Sequence, residues 1–206
     1  MARSKKFWDR IAKRYAKKPL GDEAAYQRKL AKTREYLRPD MEVLEIGCGT
    51  GLTAVAHAPH VKHIRATDIS EKMIEIAKGR AAAANVENLT FEVVAVEDLD
   101  VAGESVDVVL ALSLLHLLED REAAIARIYD MLRPGGIFVS NTVCLGDNTQ
   151  WFRFIGPIGH WLGLFPLIRI ITRNELEESL TAAGFEIEHA WQPDKRVVFI
   201  IASKAR

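Results

Sequence analysis

The chain has little cysteine: Cys48 and Cys144 are the only two in 206 residues. Two thiols make neither a disulfide framework nor a zinc pattern, and they fit a reducing cytoplasm. An excess of either charge is also missing, since 28 Lys and Arg face 28 Asp and Glu. Dedicated nucleic-acid binders show a basic surplus, so that class is disfavoured. No apolar run reaches the ~20 uncharged residues that a membrane span requires. The basic N-terminus is not followed by the apolar core of a signal peptide. Internal repeats and low-complexity linkers are lacking as well. What is there is 49% hydrophobic and 27% charged, ordinary for a globular protein. The length suits one domain with a full core.

One stretch, residues 43–51, stands out. Val43, Leu44 and Ile46 read as a short buried strand. Gly47, Gly49 and Gly51 follow at every second position, and Leu52, Thr53, Ala54, Val55 and Ala56 can start a helix. Glycine permits a sharp turn and a close approach of backbone to a ligand. A helix N-terminus offers free N–H groups to polar or anionic atoms. The spacing is E-x-G-x-G-x-G, opened by Glu45, and differs from the G-x-G-x-x-G of dinucleotide binders. Cys48 sits inside the turn, where a small side chain is needed. About 20 residues on, a second strand ends at Asp68, where an acid can take ribose hydroxyls. Ser70 then caps a helix carrying Met73, Ile74, Ile76 and Ala77. His57, His60 and His63 lie between the two strands. Pro59 breaks any regular face through them and no carboxylate or cysteine flanks them, so no metal site is expected.

Asp22 can cap a helix running to about residue 37. Residues 89–96 read as a third strand, and residues 106–112 as a fourth that is apolar enough to be central. Residues 121–131 form a helix that Leu132, Arg133, Pro134, Gly135 and Gly136 stop, and residues 137–142 form a fifth strand. Thr172 and Glu175 make a capping box for a helix that Gly184 ends. Residues 185–191 and 197–202 are two strands with five residues between them. That is too short for a parallel crossover, so the chain finishes in an antiparallel hairpin.

Together these features resemble the class I S-adenosylmethionine (SAM)-dependent methyltransferases. The resemblance implies an α/β, Rossmann-like class I methyltransferase fold. Its sheet is seven-stranded and mostly parallel, with an antiparallel last strand beside the fifth and helices on both faces. The ligand lies at the carboxyl ends of the strands. Nicotinamide-binding domains keep all-parallel strands, which disfavours a dehydrogenase. The cofactor is then SAM and the product S-adenosylhomocysteine. In the family's pattern Gly47, Cys48, Gly49 and Gly51 let backbone approach the amino-acid part and ribose. Glu45 orients the turn or reaches the methionine amine through water. Asp68 holds the ribose, Ile69 and Met73 flank the adenine, and Leu112 and Ser113 lie near the methionine half. The third strand's end meets the adenine amino group. Many members have an acid where this chain has Ala95, which leaves Glu97 or Asp98, with the Val96 backbone, for that contact. The segment from Ser113 to Asp120 is similar to the family's L-H-H-L-x-D, with His116 kept and Leu117 in place of the second histidine. It lines the space between sulfonium and acceptor. His116 is accordingly a candidate general base or an orienting group. Residues 7–15 resemble the F-x-x-(I/V)-A-x-x-Y opening of ubiquinone-biosynthesis-type methyltransferases, which puts Tyr15 near SAM.

The expected layout is one domain over residues 1–206: a helical cap (1–38), a cofactor-binding core (39–146), an apolar insertion (147–171), and a C-terminal helix with hairpin (172–206). In the cap, Phe7, Trp8, Ile11, Ala12 and Tyr15 share one helical face amid basic residues and one acid, Asp9. Such a helix can meet an anionic membrane through Lys5, Lys6, Arg10, Lys13 and Arg14. It can instead close over a ligand, or be a solvated helix with one packed face. The insertion carries too many charges, prolines and glycines for a span. It reads as a lid that builds an acceptor pocket from Trp8, Tyr15, His116, Trp151, His160 and Trp161, as extra core, or as a membrane-facing patch. Methyl transfer to a small lipophilic acceptor is the leading expectation, a quinone precursor or an aminophospholipid headgroup being examples. A small polar metabolite comes second, and a non-catalytic SAM- or nucleotide-binding module is the reading from another class. The expected location is cytoplasmic, with or without peripheral membrane contact.

Overall fold

The computed structural model describes residues 2–19, 21–146, 166 and 168–206. Two helices, α1 (Ala2–Lys17) and α2 (Glu23–Arg34), precede β1 (Glu42–Ile46), α3 (Leu52–His57), β2 (His63–Asp68), α4 (Glu71–Ala83) and β3 (Leu89–Val93). Then come β4 (Val106–Leu112), α5 (Arg121–Met131), β5 (Leu132–Val143), α6 (Arg173–Ala182), β6 (Phe185–Asp194) and β7 (Val197–Lys204). The strands form one sheet in the order β3-β2-β1-β4-β5-β7-β6. β1 to β5 run parallel, and β7 is antiparallel to both β5 and β6. The order reverses between β1 and β4, and the crevice outside the carboxyl ends of strands at such a point is where α/β sheets bind ligands.

Strict alternation along the strands builds two cores, one on each face. Leu44, Ile46, Val109, Phe138 and Ile200 pack under α5 and α6. Val43, Leu110, Val139, Phe199 and Ile201 pack under α3 and α4. Each fully buried leucine or phenylalanine among them contributes about 1.5–3 kcal/mol. Side chains fix where helices begin. Asp22 accepts from Ala25 N, Ser70 from Met73 N, and Asp120 from Ala123 N. Thr172 and Glu175 form the expected capping box. Among the described residues no helix is long and apolar enough to cross a membrane.

The structure moves several boundaries. The third strand stops at Val93, three residues short of Val96, because its neighbour β2 ends opposite it at Asp68. The second helix ends at Arg34 and not near residue 37. The fifth strand starts at Leu132, which pairs with Val106 across an irregularity in register. Its Pro-Gly-Gly therefore sits inside an irregular strand start and does not precede the strand. The hairpin strands are longer than expected and leave only Lys195 and Arg196 between them. A register shift after Trp191 accommodates Pro193 on this edge strand.

Gly51 also has a packing role. It is in the left-handed region (φ +72°), and a Cβ there would lie 2.8 Å from that of Ala77. Its task is to bring α3 against α4. Gly49 is left-handed as well (φ +54°), but a Cβ there meets nothing within 4 Å. Gly51→Ala combines backbone strain with overlap and should cost about 2–4 kcal/mol. That lowers the melting midpoint by roughly 5–12 °C. Gly49→Ala should cost no more than about 1–2 kcal/mol. Calorimetric melting of both variants checks the contrast, and equal losses would refute it.

Candidate functional site

The turn after β1 is fastened to the end of β2. Cys48 N donates to Thr67 O at 2.8 Å. Gly49 N donates to Asp68 Oδ2 at 2.9 Å, while Ser70 N donates to Asp68 Oδ1 at 2.8 Å. Burial raises the Asp68 pKa, and the two backbone N–H groups oppose that rise. The Ser70 hydroxyl accepts from Met73 N and donates to Asp9 Oδ1 at 2.6 Å. Asp9 also accepts from Lys72 N, and Lys5 Nζ pairs with Glu71 at 2.6 Å. Helix α1 is thus latched to the N-terminus of α4.

Two cavities meet at this turn and share Tyr15, Gly47, Gly49, Leu112 and Ser113 as walls. The first, of about 290 Å³, runs past Asp68, Ile69 and Met73 to Val96 and Glu97. It also reaches Trp8 and His116, with Leu114, Leu117, Leu118, Pro166 and Ile168 around them. The second, of about 620 Å³, lies under α2 and takes in Glu45, Cys48, Lys29 and Asn141. Two expected cofactor residues line neither: Gly51, for the packing reason above, and Asp98, which belongs to the 3-10 turn Val96–Asp98. That turn is pinned by Arg127, whose guanidinium donates to the carbonyls of Val96, Glu97 and Leu99. Trp151, His160 and Trp161 lie outside the described residues. On either side of that segment, Gly146 N donates to Ile171 O at 2.9 Å.

Glu45 is 2% exposed and its Oε2 has no hydrogen-bond partner. Burial, with Asp68 nearby, pushes its pKa up to about 8. It is therefore a neutral acid at neutral pH, ready to ionise if a cation enters. Tyr15 is 46% exposed overall, yet its phenol pKa is raised by burial and then by the Asp68 charge. His116 is buried in the 3-10 turn Leu115–Leu117, its pKa lowered to about 4 by burial. Its Nδ1 faces Val143 N at 3.5 Å, and its carbonyl accepts from Arg169 N at 2.7 Å. With Nδ1 accepting, the neutral ring carries its proton on Nε2. That makes it a donor and a weak base. His57 is buried and neutral too, its pKa near 3 through burial and the Arg34 charge. Among the described residues no group of three His, Cys, Asp or Glu could hold a metal ion.

Sequence reasoning missed a polar chain in the second cavity. Lys29 Nζ donates to Asn141 Oδ1 at 3.2 Å, and Asn141 Nδ2 donates to Ser113 Oγ at 3.3 Å. Ser113 has φ +60° and its N–H bonds Asn141 O at 2.6 Å. One signal was present: Ser140, Asn141 and Thr142 interrupt an otherwise apolar strand and are all buried.

An acid-and-glycine crevice at the switch point of a sheet with an antiparallel β7 defines a nucleoside-binding α/β protein, and the chain belongs to the class I SAM-dependent methyltransferases. A family model described as a methyltransferase domain matches residues 43–136. The ubiquinone biosynthesis O-methyltransferase of Mesorhizobium japonicum is 31% identical over 183 residues, which is 87% of this chain and 68% of that protein. An O-methyltransferase of Pyrenophora dematioidea is 31% identical over 169 residues, 80% of this chain and 62% of that one. The chain thus spans about two thirds of the length of these relatives. A SAM-dependent methyltransferase from Mesorhizobium loti superposes with a TM-score of 0.73 at 21% identity, covering 88% of this chain and 98% of that one.

The Glu45 environment sets a pH dependence. In the unfolded chain the carboxyl has its ordinary pKa of 4.5; in the fold it is about 8. The raised value means that stability from this group is complete below pH 4.5 and is lost as pH rises to about 8. Glu45→Gln keeps the neutral form. Without cofactor it should be more stable than the parent at pH 8, by an amount on the order of a few kcal/mol. At pH 4.5 the two should be nearly equal. Urea titrations at both pH values measure this, and a pH-independent difference would contradict it.

Proposed function

We propose that this chain transfers a methyl group from SAM to an oxygen of a small lipophilic acceptor. One observation carries the acceptor class. Beyond Ser113 the first cavity is walled by Trp8, Leu114, Leu117, Leu118, Pro166 and Ile168, with Ser4, Glu119 and a buried, neutral His116 as its polar groups. Apolar walls with few polar groups select an apolar ligand and fix its orientation. The O-methyltransferase names of the curated relatives support oxygen as the methylated atom.

The residues present fit the cofactor. Asp68 keeps acceptor capacity toward the cavity after taking two N–H groups, which suits a ribose diol. Ile69 and Met73 offer apolar surface to a base, and the turn between Ala95 and Glu97 replaces the missing acid with backbone and Glu97. Glu45, buried without a partner at Oε2, suits an ammonium, and Lys29 with Asn141 suits a carboxylate. Bound SAM supplies an electrophilic methyl group. The protein's part is alignment and exclusion of water. Trp8 and Tyr15 on α1 cover the cavity, and Ser113 is held at the end of β4 by its bond to Asn141. His116 Nε2–H orients the acceptor oxygen; a ring with its pKa near 4 is too weak a base to take a phenol's proton.

Asp68→Ala should weaken SAM binding at least tenfold, since a carboxylate's charge-assisted bonds are lost. Calorimetry measures it, and unchanged affinity would remove Asp68 from the site. The acceptor class is tested with methyl-labelled SAM and a whole-cell extract, followed by separation of organic and aqueous phases. Label should enter the organic phase. Label in the aqueous phase alone would replace the lipophilic acceptor with a polar metabolite, and SAM binding with no transfer would leave a binding module.

A further inference from the structure

Helix α1 divides its two faces cleanly. At 3.6 residues per turn, Arg3, Lys6, Arg10, Lys13, Arg14 and Lys17 fall within an arc of about 100°. All six are exposed. Their stripe is about 21 Å long. On the opposite side Ala12 is fully buried, and Trp8 and Tyr15 face the first cavity. The helix's one acid, Asp9, is turned to Ser70 and Lys72 and does not interrupt the stripe. Lys5, which the sequence placed among the membrane-facing cations, is spent on Glu71 instead. The whole chain is neutral, so six cations on one face are a local concentration of charge.

We propose that this face of α1 docks the protein on an anionic lipid bilayer. Docking is electrostatic, with the helix lying along the surface and not inserted, because the apolar face that insertion would require is packed against α4 and over the cavity. A bilayer fits better than a nucleic acid. Single-strand binders interleave aromatic side chains with their cations for base stacking, whereas here Trp8 and the part-exposed Tyr15 lie on the side of the helix away from the cationic arc and line the first cavity. A row of cations against a plane of anionic headgroups is complementary in charge and shape. The inference does not rest on the identity of the acceptor, and its test needs no methyl transfer.

The test is co-sedimentation of the full chain with vesicles of mixed phosphatidylglycerol and phosphatidylcholine, and with vesicles of phosphatidylcholine alone. Binding should require phosphatidylglycerol. It should fall at least tenfold between low salt and about 1 M, where the Debye length shrinks to about 3 Å. Each cation near an anionic surface changes partitioning on the order of fivefold, so the triple variant Lys6→Glu, Lys13→Glu, Lys17→Glu should lose at least a hundredfold. Its melting midpoint and SAM affinity should match the parent's. The double variant Arg38→Glu, Arg206→Glu, at the opposite ends of the strands, should bind vesicles as the parent does. Equal binding to pure phosphatidylcholine would overturn the proposal, as would no binding at all, or retained binding by the triple variant. Displacement from vesicles by single-stranded RNA at lower charge concentration would overturn it in favour of a nucleic-acid partner.

Discussion

A single carboxylate, that of Asp68, ties together the ligand end of the sheet. One oxygen accepts the N–H of Gly49 and the other that of Ser70, so the tips of β1 and β2 are held through one side chain. Ser70 passes the restraint on, capping α4 and bonding Asp9 of α1. The glycine turn, the start of α4 and the covering helix thus share one anchor. Burial works against keeping a charge there, and the two N–H groups offset only part of that cost. A ligand hydroxyl that donates to the remaining lone pairs relieves the rest, which is a physical reason for the crevice to favour a diol.

The two cavities meeting at this anchor differ in character, and the difference follows from which strand ends form them. Under α2, the ends of β1 and β5 bring polar groups inward: Glu45, Asn141 and, from the helix, Lys29. Past β4 the chain turns through Ser113 at positive φ and continues as Leu114, Leu115, His116, Leu117 and Leu118. A molecule with a zwitterionic tail at one side and a reactive carbon near Ser113 fits the first environment. An apolar partner approaching from the other side fits the second. Burial lowers the His116 pKa to about 4, so a phenolic acceptor would have to lose its proton elsewhere or carry it until the methyl group has moved.

Local chemistry made much of the fold legible. β4 and α5 fall on the residues 106–112 and 121–131 that the sequence assigns to them, and Ser70 and Thr172 cap the helices that they precede. What failed needed knowledge of neighbours. Residues 94–96 look like a strand, but β2 ends at Asp68, whose carbonyl takes Val94 N and leaves no further strand residue for them to pair with. Residues 132–136 do stop α5 at Met131, yet Pro134, Gly135 and Gly136 lie inside β5, which already pairs with β4 from Leu132. The three glycines look equivalent by spacing; Ala77, 26 residues after Gly51 in the sequence, makes one of them a packing residue. The pair Lys29–Asn141 joins positions 112 apart, and no local pattern relates them.

The covering helix shows why an amphipathic pattern is an ambiguous signal. Phe7, Trp8, Ile11, Ala12 and Tyr15 would serve a bilayer and a protein core equally well, because burial of apolar surface is non-directional. Here the core claims the stripe: Ala12 has no exposed surface and Trp8 stands over the cavity. Asp9 and Lys5 hold the helix down on α4. Apart from Tyr15, the exposed residues described in this helix are all cations. For a neutral chain, that arrangement makes one side of the molecule positive at the expense of the rest, giving it a preferred orientation in the field of a charged surface. A helix held this way keeps its aromatic residues on the cavity while its charges meet an outside partner, so contact with a surface and coverage of the ligand do not compete for the same face.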